Sequence, residues 1–230
     1  MDATTLNLKL VYPAAVTGIR EFQQASTEAI CNLAALTLAM GSQDEYTQGH
    51  GRRVAAYAER IARRIGLSAE ETETLRIGGL LHDIGKIAFS PKLLTNTRTR
   101  LSASMWAEIR RHPEIGREFL KVLNMAEPVI DCVHYHHERI DGTGYPHGLK
   151  ADQIPLGAKI ISVADCFDAL TTDRPYQRGK RPVDALQTLK HLVGRNLCPE
   201  LTRVFSADVR ENGLERPFQL DLQSARFGIK

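Results

Sequence analysis

The chain has 230 residues, of which 43% are hydrophobic and 25% charged, a balance that supports one good-sized core and excludes a disordered protein. Thirty Lys and Arg against 27 Asp and Glu leave a formal charge of +3, too small an excess for a protein that wraps a nucleic acid polymer. The four cysteines (Cys31, Cys132, Cys166, Cys198) form no CxxC pair, which favours reduced thiols in the cytoplasm over a disulfide scaffold or a thiolate zinc site.

Met1 to Thr5 lacks the basic region of a secretory signal, so none is expected. A short Val11-Tyr12-Pro13 element leads into a long helical stretch from about Ile19 to Met40, with Ile30, Leu33, Ala34 and Leu38 on one side. That side suits packing on a bundle or pairing with a second copy as a homodimer. The longest apolar stretch, Ala29 to Met40, is interrupted by Asn32 and Thr37 and falls well short of the roughly 20 residues a spanning helix needs, so membrane insertion is not expected.

From about Gly49 to Ile65, Val54, Tyr57, Ala58, Ile61 and Ile65 recur at helical spacing, and Gly66 ends the helix. Ser68-Ala69-Glu70-Glu71 reads as a capping box opening a helix that carries Leu75, Leu80, Leu81 and Ile84 and stops near Gly85. Pro91 and the polar Thr95 to Arg100 read as a loop. Ser102 caps a helix to about Arg111, and Pro113 opens the next. A further helix follows Pro128 to near Glu138, and Asp141 to Pro146 has the composition of a turn-rich loop. Pro155 precedes an apolar helix from Leu156 to about Leu170, Val183 to Val193 is another, and a loose tail is expected beyond Pro217. The reading is all-α: one domain, a bundle of about seven helices with an N-terminal helical extension.

Two of the eight histidines stand in the pair His136-His137, and a third adjoins a carboxylate in His82-Asp83. Neighbours on a helix point about 100° apart, so such a pair grips one ion from two sides or bridges two. Asp83 is the natural bridge, because a carboxylate has two oxygens and an imidazole one free nitrogen. Lys86 projects from the same face, which makes sense if an anion such as a phosphate sits between it and the cations. Asp165, within the apolar Ile160 to Ala164 run, is costly to bury unless paired or metal-bound; the same holds for Asp168, which has the alternative of a local cap or pair. His134, His147 and His191 read as ordinary surface or core histidines.

In order along the chain stand Tyr46-Thr47-Gln48-Gly49-His50, His82-Asp83-Ile84-Gly85-Lys86, His112-Pro113-Glu114-Ile115-Gly116, His136-His137-Glu138 through Asp141-Gly142-Thr143-Gly144-Tyr145-Pro146, Val163-Ala164-Asp165 through Asp168, and Arg174-Pro175-Tyr176. With these pieces the sequence resembles an HD-GYP domain, a branch of the HD superfamily of metal-dependent phosphohydrolases. The resemblance covers about Asp44 to Leu192. It implies residues 1–43 as an N-terminal segment and leading helix, 44–195 as the catalytic domain, and 196–230 as a C-terminal helix and tail packing on it.

The resemblance implies two divalent ions, iron or manganese. His50, His82, Asp83 and Asp165 match the ligands of one; Asp83 again, with His112, His136 and His137, matches those of the other. Lys86 matches a lysine that contacts the scissile phosphate. Gly144 and Tyr145 lie in the segment that names the family, and Arg174 matches a residue that holds substrate, with Arg178 a further candidate in the basic run after it. The glycines serve backbone geometry as well, and Tyr145 either stacks on a guanine or packs the loop.

The implied activity is hydrolysis of cyclic di-GMP to the linear dinucleotide pGpG, and in some members on to GMP, with attack by a hydroxide between the metals. Diguanylate cyclase domains or a regulator in trans are the implied partners. Tyr46 stands where some members place a glutamate that holds a third metal, and Gln177 where many have a basic residue. Two other functions fit the same residues: hydrolysis of another nucleotide such as 3′,3′-cyclic GMP-AMP, and a catalytically weak regulatory binding module.

Overall fold

The computed structural model describes residues 47–94, 101–173 and 178–214. The expected Val11 to Pro13 element, the Ile19 to Met40 helix with its pairing surface, the Thr95 to Arg100 loop and the tail beyond Pro217 lie outside them. Among the described residues no strand forms, and the all-α reading holds.

Helix α1 (Thr47–Arg64) buries Val54, Ala58 and Ile61 on one side and ends with Arg63 and Arg64, cations suited to the negative end of its dipole. Helix α2 (Ala69–Leu81) begins at the predicted capping box: Glu71 N donates to Ser68 Oγ at 3.2 Å, and Ser68 N donates to Glu71 Oε2 at 2.8 Å. The sequence predicts that this helix runs on to Gly85. Instead it closes at Leu81, and Ile84–Ala88 tighten into a 3₁₀ turn. That turn lies backbone-to-backbone on the start of the helix containing His112, for a Cβ on Gly85 would stand 1.9 Å from the His112 carbonyl oxygen.

Helix α3 (Pro91–Leu94) is a single turn where a loop was expected, opened by Ser90, whose Oγ accepts from Leu93 N at 3.3 Å. Helix α4 (Ala103–Ile109) starts as predicted, with Ser102 Oγ accepting from Met105 N. Then follow α5 (His112–Val122), α6 (Glu127–Tyr135), a 3₁₀ turn at Ala151–Gln153, α7 (Leu156–Thr171), α8 (Pro182–Leu192) and α9 (Pro199–Asn212). Pro113, Pro128, Pro182 and Pro199 all sit in first turns, where a missing N–H costs nothing.

The main core joins α1, α7, α8 and α9 through Ile61, Ile160, Ile161, Phe167, Leu189 and Phe205. Tyr57, Phe167 and Phe205 meet edge-on or tilted, with centroids 5.0 to 5.7 Å apart. Helix α9 is tied to α1 by Arg60, which donates to Asp208 at 2.6 Å and to the Gly213 carbonyl at 2.8 Å. A second core, Leu81, Ile84, Leu120, Val129, Ile130 and Val133, fills the space between the end of α2, α5 and α6. Helix α2 packs on α1, α6 and α7, and α5 packs on the 3₁₀ turn and on α6. The end of α2, the start of α5 and the end of α6 therefore converge. Among the described residues no helix is long and apolar enough to cross a membrane.

Candidate metal centre

Each histidine of the predicted set stands at or near a helix end, and three of them meet a backbone carbonyl three residues earlier. His82 caps α2, His112 opens α5, and His136 caps α6 with His137 next to it. The Nδ1 of His82 lies 2.8 Å from Gly79 O, that of His112 2.7 Å from Ile109 O, and that of His136 2.8 Å from Val133 O. A carbonyl only accepts, so all three rings carry a proton on Nδ1 and turn Nε2 inward. His50 does the same from α1: its Nδ1 donates to Asp168 Oδ2 at 2.8 Å. Asp168, fully buried, also accepts from Arg53 Nε at 2.5 Å and from a second Arg53 nitrogen at 3.0 Å.

Asp83 stands between the rings. Its Oδ1 is 3.4 Å from His112 Nε2, while its Oδ2 is 3.4 Å from His82 Nε2 and 3.6 Å from His50 Nε2. The structure thus brings together two groups that share this carboxylate: Asp83, His112, His136 and His137 in one, His50, His82 and Asp83 in the other, each with its ligand atoms within 4.8 Å of one another. Asp165 joins the second group from α7, its Oδ1 3.4 Å from His50 Nε2. It is partly exposed to the site, which lessens the burial penalty its apolar helix suggested.

Charge follows from this arrangement. Burial pushes the Asp83 carboxyl up, but Lys86, His82 and His112 outweigh it and hold the group well below the ordinary carboxylate range. Burial lowers His112 to about 4 and His137 to about 3, so both are neutral near pH 7. Burial also lowers His82, yet the Asp83 and Asp165 carboxylates prevail and raise it to about 9.

The donor set fits divalent cations. It is all imidazole nitrogen and carboxylate oxygen, which suits iron, manganese or zinc and disfavours copper(I). The Nε2 atoms of His50 and His82 face each other at 3.2 Å, and those of His112 and His136 at 3.3 Å. Near pH 7 the raised His82 carries a second proton that its Nε2 can donate to His50, whereas the neutral His112 and His136 oppose lone pair to lone pair, a repulsion that a cation relieves.

Lys86 donates to Asp83 Oδ2 at 2.5 Å, a direct pair where the sequence suggested an intervening anion. Tyr145 stacks on His137, with centroids 4.7 Å apart and planes at 28°, so the packing alternative describes its resting position. Gly144 packs tightly: a Cβ there would come within 2.3 Å of Arg139 N, which accounts for glycine without any contact to a ligand. Arg178 is exposed, while Lys180 donates to Thr188 and Arg181 pairs with Asp184, so those two cations of the basic run are used locally. Arg174, Tyr46 and Gln177 lie outside the described residues.

Two residues with clear roles went unassigned in the sequence. Asp168 pairs not locally but across 118 and 115 positions, with His50 and Arg53. Glu138 is buried and accepts from His147 N at 2.7 Å and Leu149 N at 3.0 Å, which pins the Asp141 to Pro146 loop under the histidine pair. Its position directly after His136-His137 was the one available signal.

In this architecture the helix ends deliver imidazoles and carboxylates around one shared aspartate. A model of the HD domain family matches residues 35–201, and the chain belongs to that family, in its HD-GYP branch. It is 38% identical over 190 residues to the cyclic di-GMP phosphodiesterase PA4108 of Pseudomonas aeruginosa, covering 82% of this chain and 45% of that one. It is 36% identical over 171 residues to the 3′3′-cGAMP-specific phosphodiesterase 3 of Vibrio cholerae, covering 74% of this chain and 37% of the relative. The chain thus spans less than half the length of these curated relatives. Among solved structures, Bd1817, a HDG"Y"P protein from Bdellovibrio bacteriovorus, superimposes with a TM-score of 0.59 at 24% identity, over 76% of this chain and 57% of that one. At that identity the likeness speaks for the fold.

Proposed function

We propose that this chain is a metal-dependent phosphodiesterase that hydrolyses cyclic di-GMP to the linear dinucleotide pGpG, in the cytoplasm, with two iron or manganese ions. The observation that carries the reading is Asp83, whose two oxygens face two separate groups of inward-turned imidazoles. His50, His82, Asp83 and Asp165 would hold one ion, and Asp83, His112, His136 and His137 the other. Bound there, the ions supply Lewis acidity toward a phosphoryl oxygen and lower the pKa of a water.

The chain's own groups do the rest. Lys86, with one ammonium proton on Asp83 and its side chain 44% exposed, has protons to offer a non-bridging phosphate oxygen. Burial and the Asp83 and Asp165 carboxylates push the Tyr145 phenol up, so its hydroxyl remains a hydrogen-bond donor at neutral pH. Asp168 and the three carbonyls hold the rings in one tautomer, so little reorganisation accompanies reaction.

A second reading, hydrolysis of 3′,3′-cyclic GMP-AMP, is favoured by the similarity to the Vibrio cholerae relative of that name. Protein purified anaerobically, loaded with iron or manganese and offered each cyclic dinucleotide separates the two by product formation. Metal uptake without hydrolysis of either one would overturn the enzymatic reading and leave a binding module.

A further inference from the structure

We propose that Arg110 is a specificity residue that binds the non-scissile phosphate of a cyclic dinucleotide, using the Tyr145 ring as its platform; this rests on the phosphodiesterase reading above. Arg110 is exposed at the end of α4, and its Cζ lies 5.7 Å from the centroid of the Tyr145 ring. That ring stacks on His137 and stands 6.5 Å from His112, so Arg110 sits one ring outside the histidine and carboxylate cluster. Among the described residues its guanidinium has no carboxylate partner within ion-pair distance, whereas Lys86 is paired with Asp83.

The backbone that presents this guanidinium is fixed. The carbonyl of Ile109, one residue earlier, accepts from His112 Nδ1 at 2.7 Å. Glu108, two residues earlier, accepts from Ser90 Oγ at 3.0 Å and also from Ser90 N. The end of α4 is therefore held by the site on one side and by Ser90 on the other, and the Arg110 side chain is exposed. A guanidinium braced on an aromatic face keeps its planar edge free, and that edge matches two phosphate oxygens at once.

A cyclic dinucleotide carries two phosphodiesters. With one held over Asp83 and Lys86, the other projects outward, and Arg110 is the cation placed over the outer ring. Nothing in this assignment requires Arg110 to touch the reacting atoms.

The test compares two substrates in the metal-loaded protein: cyclic di-GMP, with two phosphates, and bis(4-nitrophenyl) phosphate, with one. Arg110→Ala is expected to raise KM for cyclic di-GMP about tenfold or more, the loss of a charged hydrogen-bonding partner. It should leave kcat within about twofold and leave the one-phosphate substrate unaffected. Arg110→Lys should recover part of the loss, since it restores the charge without the fork. An unchanged KM for cyclic di-GMP would overturn the proposal. So would a parallel loss on both substrates, which would make Arg110 a support for Tyr145 and His137. Wild-type protein that turns over neither substrate would instead overturn the phosphodiesterase reading on which the proposal stands.

Discussion

His50 and Asp168 are 118 positions apart in sequence, yet the imidazole Nδ1 and the carboxylate Oδ2 stand 2.8 Å from one another, with Arg53 donating to the same carboxylate. Burial pushes the Asp168 carboxyl up, but the His50 and Arg53 hydrogen bonds prevail and hold it below its ordinary range. Orienting partners of this kind set metal affinity. Asp168→Asn is expected to weaken the ion at the His50 group about 10- to 100-fold. Metal titration followed by elemental analysis checks it. Asp168→Ala also removes two charged hydrogen bonds from Arg53 and should cost about 1.5–3 kcal/mol in chemical denaturation.

Asp83 is expected to be the least replaceable side chain, because both groups include it. Asp83→Ala should lose metal from both, with affinity falling more than about 100-fold, beyond what the loss of an orienting partner costs. Hydrolysis should drop to background. An Asp83→Ala protein with normal metal content and normal turnover would sink the site assignment.

Gly85→Ala tests the joint between the 3₁₀ turn and α5. The new methyl would collide with the His112 carbonyl, and backbone cannot swing away as a flexible side chain does. Thermal or urea unfolding should show a loss of at least about 1–3 kcal/mol, and the folded fraction should bind less metal at the His112 group.

Glu138 anchors the loop through two backbone N–H groups. Glu138→Ala removes the acceptor shared by both N–H groups and should cost about 1–3 kcal/mol. Glu138→Gln keeps one acceptor oxygen and should cost less. Because the loop carries Tyr145, hydrogen exchange at residues 141–149 should rise more in the Ala variant than in the Gln variant.

Cys132 gives a pH signature away from the site. Burial raises its thiol to about 12, above an unfolded value near 8.5. A raised folded pKa means that the stabilisation is complete below about pH 8.5 and declines as pH climbs toward the folded value. Urea midpoints should therefore fall between about pH 8.5 and 11 in the wild type, and less so in Cys132→Ala. At pH 8, peptide mapping after alkylation should find Cys132 labelled more slowly than the half-buried Cys166 and Cys198.

The helices were legible wherever the cause of a boundary is local. Ser68 with Glu71, Ser102, Pro113, Pro128 and Pro155 each mark an end through bonds or ring geometry within a few residues. What failed was decided at a distance. The end of α2 depends on a carbonyl 27 positions beyond Gly85, and no periodicity in Leu75 to Ile84 carries that information. The members of the candidate centre could be listed because His, Asp and Lys are conspicuous in apolar surroundings. Their grouping around two oxygens of one carboxylate had to wait for coordinates. Asp168 shows the limit most clearly: its cost of burial was plain, and its partners were not.

The i−3 carbonyl bonds at His82, His112 and His136 have a further consequence. Each ring is aimed by a carbonyl three residues earlier, within one helix for His82 and His136 and across the α4–α5 junction for His112, so the conformational entropy of orienting three imidazoles is lost on folding, before any ligand arrives. Capture of an incoming ion then asks little rearrangement of those rings, and selectivity among ions is governed by the fixed spacing of the pocket rather than by its capacity to adapt.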